Sequence, residues 1–275
     1  MADSSSCDHN CSSCGEGSCG ERKSLIAASN KRSNIKHIVG VVSGKGGVGK
    51  SLVTSLLAHK MNTLGYKVGI LDGDLTGPSI PKSFGVTKKI VGDDDGMFPS
   101  ESKEGIKIMS INLLLADDTK PVLWKGLMLA GALKQFYTDV SWGDLDYLFV
   151  DMPPGTADIP MTIYQSLPIE GIVIVTTPQD LVSMIVGKSV NMAKTMNIDI
   201  LGLVENMSYM SCPDCGKKLY PFGKGNVEDV ASKYGLKVLG SLPIDPSVAA
   251  KVDAGNVEKV EVTELDIAVE AIKAL

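Results

Sequence analysis

The chain has 275 residues, 44% of them hydrophobic, and a formal net charge of −5 at pH 7. That apolar content suits one large α/β domain with an appendage and excludes an intrinsically disordered chain. The negative balance argues against nucleic acid bound through phosphates, and no apolar run approaches the roughly 18 residues of a membrane span.

The N-terminus lacks the charged-then-apolar order of a secretory leader, so a cytoplasmic protein with no membrane partner is expected. Residues 1–33 are rich in Ser, Gly and Cys and carry no apolar periodicity. They read as a tail, expected to be flexible, before a domain spanning 34–275. In the tail Cys7, Cys11, Cys14 and Cys19 are separated by three, two and four residues. Four thiolates so close together can wrap one compact centre, with Gly15, Gly17 and Gly20 permitting tight turns. An iron–sulfur cluster, a zinc knot and a reactive tail all remain open, since zinc also takes four thiolates. His9 reads as a tail residue. The six cysteines of an unexported chain read as metal ligands or redox groups, not disulfides.

Ile38–Ser43 is a short apolar run that suits a buried parallel strand. Directly after it, Ser43-Gly-Lys-Gly-Gly-Val-Gly-Lys-Ser51 is a P-loop. Gly44, Gly49, Lys50 and Ser51 satisfy G-x-x-x-x-G-K-[ST], and Gly46, Gly47 and Val48 complete the cradle. Glycines let successive N–H groups point at phosphate oxygens. Lys50 is expected to reach the β- and γ-phosphates of ATP, and the Ser51 hydroxyl to ligate Mg²⁺. Ser51–Leu64 has helical spacing and stops at Gly65, which puts the phosphates at a helix N-terminus. Lys45 adds a second lysine to the loop. The chain's two arginines, Arg22 and Arg32, both read as tail residues, so lysine must neutralise transition-state charge.

Val68–Asp72 is the next candidate strand, and Asp72-Gly73-Asp74 follows. One of these aspartates should orient the attacking water, and Asp74 is preferred because it lies further into the loop; capping is the bland alternative. Asp93–Asp95 reads as a solvated turn. Further strands are expected at Ile106–Asn112, Tyr147–Asp151, Gly171–Thr176, Ile198–Val204 and Lys237–Leu242. Helices are expected at Lys125–Tyr137, Leu181–Met196 and Val227–Tyr234. Asp151 ends its strand where a Walker B acid would hold the Mg²⁺ shell, and Gly155 can offer its N–H to the γ-phosphate. The alternation predicts an α/β fold with a doubly wound, mainly parallel sheet, its ligand at the carboxyl ends of the strands. Glu264–Leu275 is a short acidic amphipathic stretch, a poor membrane anchor.

Lys45-Gly-Gly-Val-Gly-Lys50-Ser51 resembles the deviant Walker A motif of the nitrogenase iron protein, the septum-site and partition ATPases, and the Mrp/ApbC-type iron–sulfur carriers. That resemblance implies a homodimer in which Lys45 reaches the partner's ATP. Cys212-Pro-Asp-Cys215-Gly after Glu205-Asn-Met-Ser looks like the Mrp/ApbC carriers in particular. So do Asp151-Met-Pro-Pro-Gly-Thr, Thr177-Pro-Gln and Gly73-Asp-Leu-Thr-Gly-Pro-Ser, and the likeness runs from about Ile35 to the late 250s. It implies that Asn206 contacts adenine, Pro243 closes the base pocket, and Cys212 and Cys215 hold a [4Fe–4S] cluster bridging two subunits; zinc is the rival there. The tail is similar to that of the nucleotide-binding scaffolds of cytosolic iron–sulfur assembly, although their first cysteine spacing is much longer. The implied function is an ATP-dependent carrier that passes clusters to apo-proteins, slow hydrolysis gating the dimer. A dimeric reductase of the nitrogenase-iron-protein type and a positioning ATPase are the alternatives.

Overall fold

Strand β1 (Ser33–Val42) runs through the middle of an eight-stranded sheet, and its alternating side chains explain the layers on either side. Val39 and Val41 point to one face and Ile38 and Val42 to the other, as the two-residue period of a strand requires. Both faces are apolar because both are covered. The structure, a computed structural model, describes residues 26–74, 77, 79–115, 126–155, 158–179 and 182–275. The tail cysteines Cys7, Cys11, Cys14 and Cys19 lie outside the described residues.

The chain continues through α1 (Lys50–Thr63), β2 (Val68–Asp72), α2 (Ile80–Ser83), β3 (Val91–Asp93), β4 (Gly96–Phe98), β5 (Ser100–Glu101) and β6 (Lys107–Met109). Then come α3 (Gly126–Thr138), β7 (Gly143–Asp151), α4 (Asp158–Ser166), β8 (Gly171–Thr176), α5 (Val182–Thr195) and β9 (Asp199–Glu205). The last part holds β10 (Met210–Ser211), β11 (Lys218–Leu219), α6 (Val227–Tyr234), β12 (Val238–Ser241), α7 (Pro246–Asp253) and α8 (Asp266–Lys273). The sheet order is β12-β9-β8-β1-β7-β2-β6-β5, parallel throughout except for the antiparallel edge strand β5. α1, α2 and α8 pack on one face, and α3, α4, α5 and α6 on the other. This is the expected doubly wound arrangement.

Three expectations are corrected. Ile106–Asn112 is not one strand: β6 covers Lys107–Met109, and Ile111–Leu113 forms a single 3₁₀ turn. The break falls at Ser110, whose hydroxyl turns inward to donate to Asp72 Oδ2 at 3.0 Å. The ordered fold also begins before the expected boundary at 33/34. Ala27 N–H donates to Ser166 C=O at 2.8 Å, and the Asn30 amide donates to Asp95 C=O at 2.9 Å. Arg32, expected in the tail, instead pairs with Asp93 at 2.8 Å and with Asp95. Residues 26–33 thus strap the start of β1 to the β3–β4 turn, at the end of the sheet opposite the P-loop. Asp93 and Asp94 are exposed, as a solvated turn requires, and Arg32 lies across the turn.

Candidate functional site

The P-loop emerges from the carboxyl end of β1 and delivers the chain into α1. Gly47 and Gly49 have φ of +78° and +81°, a left-handed backbone that side chains disfavour. Gly44 is needed for packing: a Cβ there would lie 2.0 Å from Ile185 Cγ2 on α5. Gly49 is needed twice over, since its Cβ would lie 2.1 Å from Asn206 Nδ2. Gly46, Gly47, Lys50, Ser51 and Asp74 line a cleft of about 280 Å³ at the N-terminus of α1. The helix dipole and the free N–H groups of the first turn make that cleft an anion cradle.

Asp151, at the end of β7, is fully buried and collects three partners. Lys50 Nζ pairs with its Oδ2 at 2.8 Å, Ser51 Oγ donates to Oδ2 at 2.6 Å, and Thr54 Oγ1 donates to Oδ1 at 2.8 Å. Lys50 is itself 5% exposed, so without phosphates its ammonium rests on Asp151. Ser51 and Asp151 together form a pair of hard oxygen donors beside the cradle, which fits a divalent cation such as Mg²⁺. Thr54 is a site residue that no motif pointed to.

Asp72 and Asp74 have separated roles. Asp72 is fully buried at the end of β2 and accepts from Ser110 Oγ and, at 3.3 Å, from the Asp74 N–H. Burial, with the Asp151 charge beside it, pushes its pKa up to about 8 against the pull of Lys50. Asp74 is half-buried and lines the cleft, where a water can reach it.

Gly155 differs from expectation. Its N–H donates to Ser43 C=O at 2.9 Å, so reaching a γ-phosphate requires that bond to be exchanged. Its φ of +94° is a left-handed conformation that favours glycine. Lys45 bonds to the Gln179 side chain of its own chain. Asn206 is buried, with its amide donating to Val48 C=O at 2.9 Å. Beside it, Leu52, Met207, Pro243, Val248 and Val252 line a second, more apolar cleft of about 280 Å³. Leu52 and Val252 belong to both clefts, which therefore adjoin.

Cys212 and Cys215 sit on the β10–β11 hairpin, near the same end of the sheet. Cys212 N–H donates to Lys217 C=O and Gly216 N–H to Cys212 C=O, each at 2.9 Å, and Gly216 takes φ +70°. The turn aims the N–H groups of Asp214 and Cys215 at the Cys212 sulfur, holding its thiol below the usual range. Cys215 is exposed, and both thiols are free. Among the described residues no group of three or more His, Cys, Asp or Glu side chains is arranged to hold a metal ion. One hairpin therefore offers two ligands of the four a tetrahedral thiolate centre takes.

The chain is similar to known proteins. A family model described as the NUBPL iron-transfer P-loop NTPase matches residues 34–274. The iron-sulfur cluster carrier protein of Clostridium perfringens is 47% identical over 234 residues, 82% of each chain. That of Methanocaldococcus jannaschii is 46% identical over 258 residues, covering 90% of this chain and 89% of the relative. A nucleotide-binding protein of Archaeoglobus fulgidus, solved in complex with ADP and with cobalt, superposes with a TM-score of 0.76 at 43% identity, over 84% of this chain and 91% of that one. The cell-division protein MinD of Aquifex aeolicus shares the fold at 18% identity and a TM-score of 0.59, over 86% and 95% of the two chains.

Proposed function

This chain belongs to the NUBPL iron-transfer P-loop NTPase family, and from that premise we propose that it is an ATP-dependent iron–sulfur cluster carrier. It acts as a cytoplasmic homodimer that takes up [4Fe–4S] clusters and passes them to apo-proteins. The observation that carries this reading is the adjacency of two sites. The Cys212/Cys215 hairpin grows out of the segment Glu205–Ser208, and Asn206 in that segment is hydrogen-bonded to the P-loop. Relatives 46–47% identical over most of their length are named iron-sulfur cluster carrier proteins.

In the ATPase reaction Lys50 leaves Asp151 to cradle the β- and γ-phosphates, and Asp74 orients the attacking water. Ser51 and Asp151 would hold Mg²⁺, which would supply positive charge against the phosphate oxygens. Asn206 and Pro243 hold the adenine. Lys45 releases Gln179 and reaches the nucleotide of the partner, so ATP and dimerisation are linked and turnover is slow. The cluster is cargo, held by two hairpins across the two-fold axis and moved by thiolate exchange. The tail cysteines hold a second centre.

The septum-site likeness extends to the fold alone, and a reductase would take its cluster ligands from separate segments. The test is a metal count on the full chain with all four tail cysteines replaced by serine. After anaerobic reconstitution, about four irons and four sulfides per two chains are expected. A full cluster on each monomer would exclude bridging, and zinc without iron would overturn the carrier reading.

A further inference from the structure

Glu205 is the last residue of β9 and is 3% exposed, yet neither the nucleotide nor the metal chemistry above requires an acid there. A buried carboxyl is costly unless it is satisfied, so what it touches explains it. Oε2 accepts from Ser208 Oγ at 2.5 Å. Oε1 lies against Gly225, where a Cβ would come within 2.1 Å of it. Ser208 is where the chain departs for the cysteine hairpin, and Gly225 is where it returns before α6. One carboxyl therefore touches both legs of the segment that carries Cys212 and Cys215.

The neighbouring residue faces the other way. Asn206 holds Val48 C=O of the P-loop, and its amide fills the space a side chain at Gly49 would need. Between the two clasps Met207 takes φ +56°, a left-handed conformation uncommon outside glycine. The strand end beneath is fixed by Asn206 N–H to Thr176 C=O and Leu242 N–H to Glu205 C=O, both 2.8 Å. With the backbone pinned there, a change in the Asn206 amide has a short route to the hairpin, through Met207 and the Glu205 clasp.

We propose that Glu205 is a positioning residue that clasps both legs of the cysteine hairpin and, with Asn206, makes the hairpin's arrangement depend on occupancy of the nucleotide cleft. It rests on the carrier reading for its biological meaning, but the coupling itself belongs to the metal-free chain. A ligand shifts such an arrangement only by its differential contacts, and the Asn206 amide, shared between Val48 C=O and a base, supplies them.

The test uses the full chain with Cys7, Cys11, Cys14 and Cys19 replaced by serine, so that Cys212 and Cys215 are the sole thiols. Their rates of alkylation by iodoacetamide are measured with and without ADP, which lacks the γ-phosphate that Lys45 is proposed to reach. ADP should change the rate at least about fivefold, the low end of ordinary site-to-site coupling. Glu205→Ala should bring the ratio to about one while ADP affinity stays within about twofold. Glu205→Gln, which keeps the shape and an acceptor oxygen, should restore the ratio. If Glu205→Ala does not fold, Gly225→Ala replaces it, since its Cβ wedges the returning leg away from Oε1 and should have the same effect. No ADP dependence in the parent, or full dependence in the alanine variant, overturns the proposal. Iron loading of the same parent chain is scored separately: a chain that loads no iron refutes the carrier reading, while the alkylation ratio still decides the clasp.

Discussion

At the level of single residues, the site is governed by carboxylates buried at strand ends. Lys50→Ala should abolish ATP hydrolysis and also destabilise the fold by about 3–5 kcal/mol, because Asp151 is left as an unpaired buried charge. Adding Asp151→Asn should recover part of that stability in a denaturant titration and none of the turnover. Asp72 carries the opposite sign. Its folded pKa of about 8 lies above the unfolded value of about 3.9, so the folded state binds more protons between those limits. Stability of the metal-free protein should therefore fall as pH rises from about 4 to 8, and Asp72→Asn should flatten the denaturation midpoint over that window. Lys50, Ser51, Asp151 and the two cysteines were legible because they sit in motifs or at the ends of apolar runs. Thr54, Ser110 and Gln179 were not, since each meets its partner across a long stretch of chain. Glu205 stands in a motif, but its contact with Gly225, twenty residues on, has no local signal.

Among the elements, length decided what could be read. The long buried strands and α1, α3, α5 and α6 carry enough periods to announce themselves, and their observed ends lie within one residue of expectation, except that β1 and β7 begin five and four residues earlier, in their more polar first halves. β3, β4, β5, β10 and β11 have two or three residues each, too few for any period. The stretch Glu264–Leu275 was legible as amphipathic but not as to purpose: Ala268, Val269 and Ile272 of α8 pack into the core. The P-loop is itself held in place by a neighbouring helix. Gly44→Ala should weaken nucleotide binding because its Cβ must displace Ile185 on α5. Ile185→Ala in the same chain should restore part of the affinity in a calorimetric titration, and not all, because the Ile185 carbonyl oxygen also lies within 3.0 Å of the new Cβ.

For the molecule as a whole, the proposed dimer makes its own demand. Lys45→Ala should leave ATP affinity within about threefold and lower turnover by at least about 10³-fold, the scale of a charge supplied in trans to phosphoryl transfer. Normal turnover in that variant, measured by phosphate release, would remove the cross-dimer role. The family's architecture was legible because strands alternate with helices along the chain, whereas the strap over residues 26–33 was not. Its anchors, Ser166, Asp93 and Asp95, are distant in sequence, and its eight residues carry no apolar periodicity. Both arginines lie before β1, and Arg32 is spent on the strap at the far end of the sheet. In the proposed reaction the positive charge is therefore carried by amines. A guanidinium keeps its charge under almost any treatment, but an amine can be acylated and so neutralised. Lys50 is buried against Asp151, while Lys45 is half-buried and bonded to the exposed Gln179 side chain, so a mild acylating reagent should erase the charge proposed to face the partner before the one in the cradle. The same pocket would go on holding its nucleotide after losing the ability to act on its neighbour's.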